Sequence, residues 1–409
     1  MRPTYAHLAL GGVVFTVAAL VGCYPKKNDE SPPAAATSST YSGTASVGDF
    51  LTVSLDRVAR TMRYKNTTNG QDYTVSYTIA ADGTYTFADP TGNLVTGYES
   101  PGFAMVIEAN KAGPLGDTPA LITAIQATTV TTDVFKSKEY NYMQFRTNSG
   151  GIEVGHVTAD AAGLISPNGY WPFGKFQGDA DDKVFNTGSI PASGLTATAD
   201  NSALILTEMD GGQLQTNYIF ATTGGFLAVD TPNGAIVCMQ ARASGDFDAA
   251  TMAGSYQAIL YQKGGCQTGM GNVETSTSQD IVKGTVTFSA TGRVTVVGED
   301  GSTVVDNVPL TKFADRADLH GPGKVTDPCN GFFTFTTTDG SGATRDIFVA
   351  FMDRSILMSS FVGHPGTSMG GGMGGGTYDY FYGLGLKTTA SASASLPHAA
   401  SALALTSAQ

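Results

Sequence analysis

The chain has 409 residues, 23 of them basic and 35 acidic, for a net charge of −12. An acidic chain without a basic stripe excludes the electrostatic footprint of a nucleic-acid binder. Only 14% of residues are charged, against about 25% in an average soluble domain, and 51 glycines with frequent threonine suit a β-rich protein outside the cytoplasm.

The first predicted element is the apolar run Leu8 to Leu20, preceded by the single positive charge of Arg2. A helix that crosses a bilayer needs about 20 apolar residues, so this run is too short, and Gly11 and Gly12 interrupt it. A positive start, a short apolar core and small residues at its end read as a secretory signal peptide over residues 1–22. The end of the run, Leu20-Val21-Gly22-Cys23, resembles the lipobox of bacterial lipoprotein precursors. The resemblance covers only the first 23 residues. It implies that Leu20 is read by the lipoprotein signal peptidase, that Gly22 is small enough for cleavage, and that the Cys23 thiol takes a diacylglyceryl group and becomes the new N-terminus. One acyl chain holds a protein only marginally, whereas two or three anchor it stably. In such precursors the residue after the cysteine biases sorting, and Tyr24 in place of Asp implies the outer membrane of a Gram-negative bacterium. The expected partner of Cys23 is therefore a membrane.

Residues 23–46 follow as a polar, Pro- and Ser-rich tether, which as a flexible coil spans roughly 25–30 Å. The body then reads as strand after strand. "DFLTVSLD" (49–56), "YTVSYTIA" (73–80) and "TYTFAD" (84–89) alternate apolar and polar residues, and Asp82-Gly83 between the last two is a strong hairpin signal. A similar hairpin recurs at 75–87, 153–165 and 284–296, each followed by apolar strands that end near 121–127, 235–241 and 355–361. The expected fold is all-β, with two or three tandem antiparallel barrel- or sandwich-like modules at 47–135, 136–245 and 246–363. Short helices are expected only near 111–121 and 311–318. Residues 364–409 read as a Gly/Met-rich linker and low-complexity tail, in which the alternating aromatics of 377–386 suit one last strand paired back on the body.

Three cysteines remain beyond Cys23. Export implies an oxidising compartment. Cys266 and Cys329 lie in loops marked by Gly and Pro and are expected to pair, leaving Cys238 in "GAIVCMQAR" as a buried free thiol. Spacing alone leaves the other two pairings open. A bridge between Cys266 and Cys329 would stabilise the fold by roughly 4 kcal/mol in the chain-entropy view.

The candidate ligand-binding residues are Tyr170, Trp171, Phe173 and Phe176, gathered in "NGYWPFGKF" (168–176). Flat aromatic faces in a loop stack on sugar rings or anchor a protein interface; the same loop can also plug a barrel end. "GTSMG" (366–370) looks like the segment around the nucleophile of subtilisin-like proteases, but the segments that should carry its acid and its base are missing. Asp179, Asp181 and Asp182 form an acidic turn that departs from the EF-hand pattern at Lys183. The histidines do not cluster, so no metal, no cofactor and no catalytic residue is assigned. The expected role is non-catalytic and either binding, of envelope polysaccharide or a protein partner, or structural. The alternative is a hydrolase of envelope polymers, which would need two carboxylates converging across a cleft.

Overall fold

Successive side chains of a strand point to opposite faces, so an alternating strand buries one face and a continuously apolar strand buries both. Both kinds occur here, and their distribution decides the architecture. The computed structural model describes residues 37–387 apart from 110–118, 148–152, 171–183, 187–193, 211–212, 233, 242–248, 269–273, 276–277, 317–330, 339–343, 353 and 365–376. The described residues are all-β, in three antiparallel sheets.

The first sheet is a closed barrel. Its strands are β1 (Ser38–Ala45), β2 (Phe50–Asp56), β3 (Thr61–Asn66), β4 (Asp72–Ile79), β5 (Tyr85–Ala88), β6 (Leu94–Ser100), β7 (Ala104–Ala109) and β8 (Ala120–Gln126). They pair in chain order, and β1 returns to β8. Alternate residues such as Tyr41, Leu51, Val53, Met62, Met105 and Ile107 fill the interior. Closure depends on one glycine, since a Cβ on Gly43 would lie 2.0 Å from the carbonyl oxygen of Thr123 on β8.

The second sheet holds β9 (Lys138–Phe145), β10 (Glu153–Ala159), β11 (Ile165–Tyr170), β12 (Val184–Asn186), β13 (Leu195–Ala197), β14 (Leu204–Asp210), β15 (Gln213–Ala221), β16 (Phe226–Thr231) and β17 (Gly234–Gln240). The third holds β18 (Gly254–Thr268), β19 (Glu274–Thr275), β20 (Ser278–Phe288), β21 (Arg293–Gly298), β22 (Thr303–Pro309), β23 (Thr311–Lys312), β24 (Phe332–Thr338), β25 (Thr344–Met352), β26 (Ser355–His364) and β27 (Thr377–Lys387), with β19 off the main path against β18. In each, the first strand pairs with the last, β9 with β17 and β18 with β27. The fourth position is split: β12 pairs β11 while β13 pairs β14, and β22 pairs β21 while β23 pairs β24. Counting each split couple as one position, both sheets have the eight positions of the closed barrel.

The structure corrects two boundaries drawn from sequence and the phase of the recurring hairpin. β1 occupies 38–45, inside the segment assigned to the tether, because Tyr41 and Ala45 are buried in the barrel while the small residues around them mask the strand pattern. The third sheet continues past 363 to Lys387, since β27 lies between β18 and β26 with Tyr380, Tyr382, Leu384 and Leu386 buried. The recurring hairpin is also out of phase: β4–β5 are the fourth and fifth strands of the barrel, whereas β10–β11 and β20–β21 hold second and third positions. Of the expected helices, 311–318 contains the single turn Phe313–Asp315, and most of 111–121 lies outside the described residues.

One further core joins the three sheets. β7, β8 and β17 are apolar on both faces. Met105, Ile122 and Cys238 point into their own sheets' interiors, while Val106, Leu121 and Val237 point outward. The outward set meets Ile259, Leu357, Leu384 and Leu386 of the third sheet in a common core. Aromatic contacts tie it together: Tyr382 stacks on Phe145 at 4.8 Å and on Tyr261 at 5.0 Å, and Phe103 meets Phe226 at 5.3 Å. Phe226→Ala is expected to cost about 3–5 kcal/mol, and Gly43→Ala about 1–3 kcal/mol through overpacking at the β1–β8 closure, both read from urea denaturation midpoints.

Candidate functional site

The strand registers sort every loop to one of two ends. β1 starts at Ser38 opposite Asp56 and ends near the β1–β2 turn. Thr37, the β2–β3 turn, the β4–β5 turn and the β6–β7 turn therefore share one end, here called the tether end. Contacts between sheets join like ends. At the tether end, Arg354 donates to the Ser100 hydroxyl at 2.7 Å and to the Pro101 carbonyl at 2.8 Å, and the Lys387 amide donates to the Arg354 carbonyl at 2.8 Å. At the other end, Thr147 shares hydrogen bonds with Ser46 at 2.6 Å and Tyr382 at 2.8 Å, and its carbonyl accepts from Lys263 at 3.1 Å. The strands flanking 148–152, 171–183, 211–212, 339–343 and 365–376 all end there. This is the loop end.

Tyr170 is the last residue of β11, its Cα opposite Val154 and Val184, so the chain leaves the sheet at the loop end there. Trp171, Phe173 and Phe176 lie outside the described residues, as do Cys23, Cys329, Ser368 and the Asp179–Asp182 turn. Cys266 lies on β18 with its Cα opposite Tyr378. Cys238 carries a buried free thiol, pushed up to about 12 by burial.

Two buried polar groupings escape sequence reading because their members are far apart in the chain. At the tether end, the Glu99 carboxylate points into the barrel mouth, 1% exposed, and pairs with Arg57 while accepting from the hydroxyls of Tyr41 and Tyr85. Burial and then the charge of Glu99 hold Tyr41 well above the ordinary tyrosine range, and burial with the Glu99 hydrogen bond does the same for Tyr85, so both stay protonated donors. This arrangement closes a barrel mouth with a satisfied charge.

At the loop end, Asp230 on β16 faces the barrel and accepts from the Thr44 hydroxyl at 2.7 Å, while Asp49 accepts from the Asn66 amide at 2.9 Å. The two carboxyls are 5% and 8% exposed and feel one another's charge. Burial pushes Asp230 up to about 7, against the Thr44 hydroxyl and with the help of Asp49; burial raises Asp49 as well. The pair is thus part of the seam between barrel and second sheet, with no access for a polymer chain. Among the described residues no three His, Cys, Asp or Glu side chains converge as metal ligands. Exposed apolar side chains mark both ends: Met209 and Leu214 face each other across the β14–β15 ladder at the loop end, and Val58 and Ile79 stand at the tether end.

Removing the guanidinium in Arg57→Ala leaves a buried carboxylate without its cation, and is expected to cost about 3 kcal/mol in chemical denaturation. The sign for Asp230 follows from linkage. Between the ordinary carboxyl value of 3.8 and about 7 the folded form holds one more proton than the unfolded form. Stability therefore falls as pH rises through that window, by up to about 1.4 kcal/mol per unit, and levels off above it. Asp230→Asn is expected to remove this component, measured as the difference between wild-type and variant denaturation curves across the window.

No family model matches the chain, and no curated protein matches it. Among solved structures, the chain is similar to two mutant forms of the vaccine antigen transferrin binding protein B from Haemophilus parasuis Hp5. A double mutant is 11% identical, over 86% of this chain and 76% of that one, with a TM-score of 0.27. A single mutant is 10% identical, over 86% of this chain and 77% of that one, with a TM-score of 0.25. At scores of this size the arrangement of the three sheets is read from this chain itself.

Proposed function

We propose that the protein is a lipid-anchored component of the cell envelope, held through Cys23 in the outer membrane, and that its role is non-catalytic binding at the loop end. The observation that carries this reading is the separation of the two ends. The chain enters the barrel from Thr37 at one end, and Tyr170 hands the chain to the aromatic stretch at the other. A body tethered at Cys23 would hold that stretch away from the membrane. Loops on a rigid scaffold are the usual seat of recognition. Tyr170, Trp171, Phe173 and Phe176 within seven residues supply the flat apolar faces that sugar rings stack on, so envelope polysaccharide is the first ligand class to test. The hydrolase alternative finds no support in Asp49 and Asp230, whose carboxyls are enclosed between two sheets.

Two outcomes are expected. Cys23→Ala releases the protein from the membrane fraction into the soluble fraction, with loss of the diacylglyceryl mass. Trp171→Ala abolishes co-sedimentation of the protein with purified peptidoglycan or insoluble polysaccharide while leaving the melting temperature unchanged. Wild-type protein that fails to sediment with any of these polymers would rule out the polysaccharide and turn the search to a protein partner.

A further inference from the structure

We infer that the tether end is itself a membrane-docking surface, seated on lipid through the apolar rim of Val58 and Ile79. The inference rests on the anchoring of Cys23 proposed above and adds a second, non-covalent contact.

Val58 is 78% exposed and Ile79 49%. Both stand at the mouth of the barrel. Ser76 of β4 is opposite Thr61, and the Tyr77 amide donates to the Arg60 carbonyl at 3.0 Å, so β4 runs on past the ladder toward the tip of the β2–β3 turn and carries Ile79 onto the rim of Val58. The turn is held in shape. Asp56 accepts from the amides of Val58 at 2.9 Å and Ala59 at 2.8 Å, and behind it Arg57 is fastened to Glu99. The apolar tip is therefore presented on a fixed base.

The occupant follows from where the chain goes next. The Arg57 amide donates to the Thr37 carbonyl at 2.9 Å, so the neighbour of Val58 is bonded to the residue at which the tether begins. Thirteen residues lie between Thr37 and Cys23. Even fully extended, a chain of that length reaches at most about 45 Å, so an acylated Cys23 confines this rim to the neighbourhood of the bilayer. The exposed carboxylates Asp56 and Asp82 on the same end stand with the exposed Arg60 of the β2–β3 turn, so the rim carries no net positive patch to draw anionic headgroups. Apolar insertion at the headgroup boundary, as amphipathic surfaces use, is the mode these residues fit, and neutral lipid suffices for it.

The test uses the mature, acylated full chain in phosphatidylcholine vesicles with brominated acyl chains, which quench tryptophan on contact. Val58→Trp and Leu94→Trp are each made in a Trp171→Phe background and matched by thermal melting. Leu94 lies at the loop end of the barrel, 67% exposed. The expected result is a roughly twofold quenching for Val58→Trp and none for Leu94→Trp. Equal, unquenched emission from both, with diacylglyceryl on Cys23 confirmed by intact mass, would overturn docking and leave the anchor standing. A chain without lipid on Cys23 would overturn both.

Discussion

The structure depends on strands that are apolar on both faces. An eight-position meander can fill its own interior with one face of each strand and leave the other to water. Here β7, β8, β16, β17 and β27 have no water-facing side to spare. Ile107, Ile122, Leu227, Cys238 and Phe381 point inward, and Val106, Leu121, Ala228, Val237 and Leu384 point out. The only way to bury the second set is against other sheets, so three meanders share one core. The closing seam of each, where first strand meets last, is turned toward it. This explains why the residues from Thr37 onward form one compact unit despite three separate sheets.

Polar groups fix the register of that assembly. The Ser46–Thr147–Tyr382 hydrogen bonds bring the barrel, the second sheet and the third sheet together at one point, and Lys263, 4% exposed, donates into the same place. On the barrel's other flank, Lys283 of the third sheet reaches Glu108 at 3.5 Å, Glu299 at 3.2 Å and the Thr96 hydroxyl at 3.1 Å. A buried hydrogen-bonding group leaves few alternative docking geometries, because sliding the sheets would strand it without partners. The three meanders are thus locked with like ends together, and that alignment sets the tether end and the loop end on opposite sides.

Much of the fold was legible in the sequence, for reasons that can be named. Asp82-Gly83 forms the β4–β5 turn, with Gly83 at φ 87, as a two-residue signal between alternating strands should. "AIVCMQ" is a strand buried on both faces, and its cysteine is a free thiol. What failed was also physical. "SSTYSGTA" is a strand whose small residues serve close approach, as at Gly43, and it reads like linker. "TYDYFYGLGLK" was legible as a strand pairing back on the body, but it sits beyond a run of glycines, and its place between β18 and β26 is recognisable only once the meander is closed. The buried polar groups were illegible because Glu99 meets Arg57 and Tyr41 across 42 and 58 positions of sequence, and Asp230 meets Thr44 across 186. No local pattern encodes such encounters.

One shared core makes the three sheets a single cooperative body. Native-state hydrogen exchange under increasing denaturant reads this through the amides of β8, β17 and β27, one strand from each sheet. The most protected amides of all three are expected to converge on the same opening free energy, since losing any seam exposes the common core. Separate, lower opening energies for β27 while β8 stayed protected would contradict it, and would make the sheets independent modules on a string.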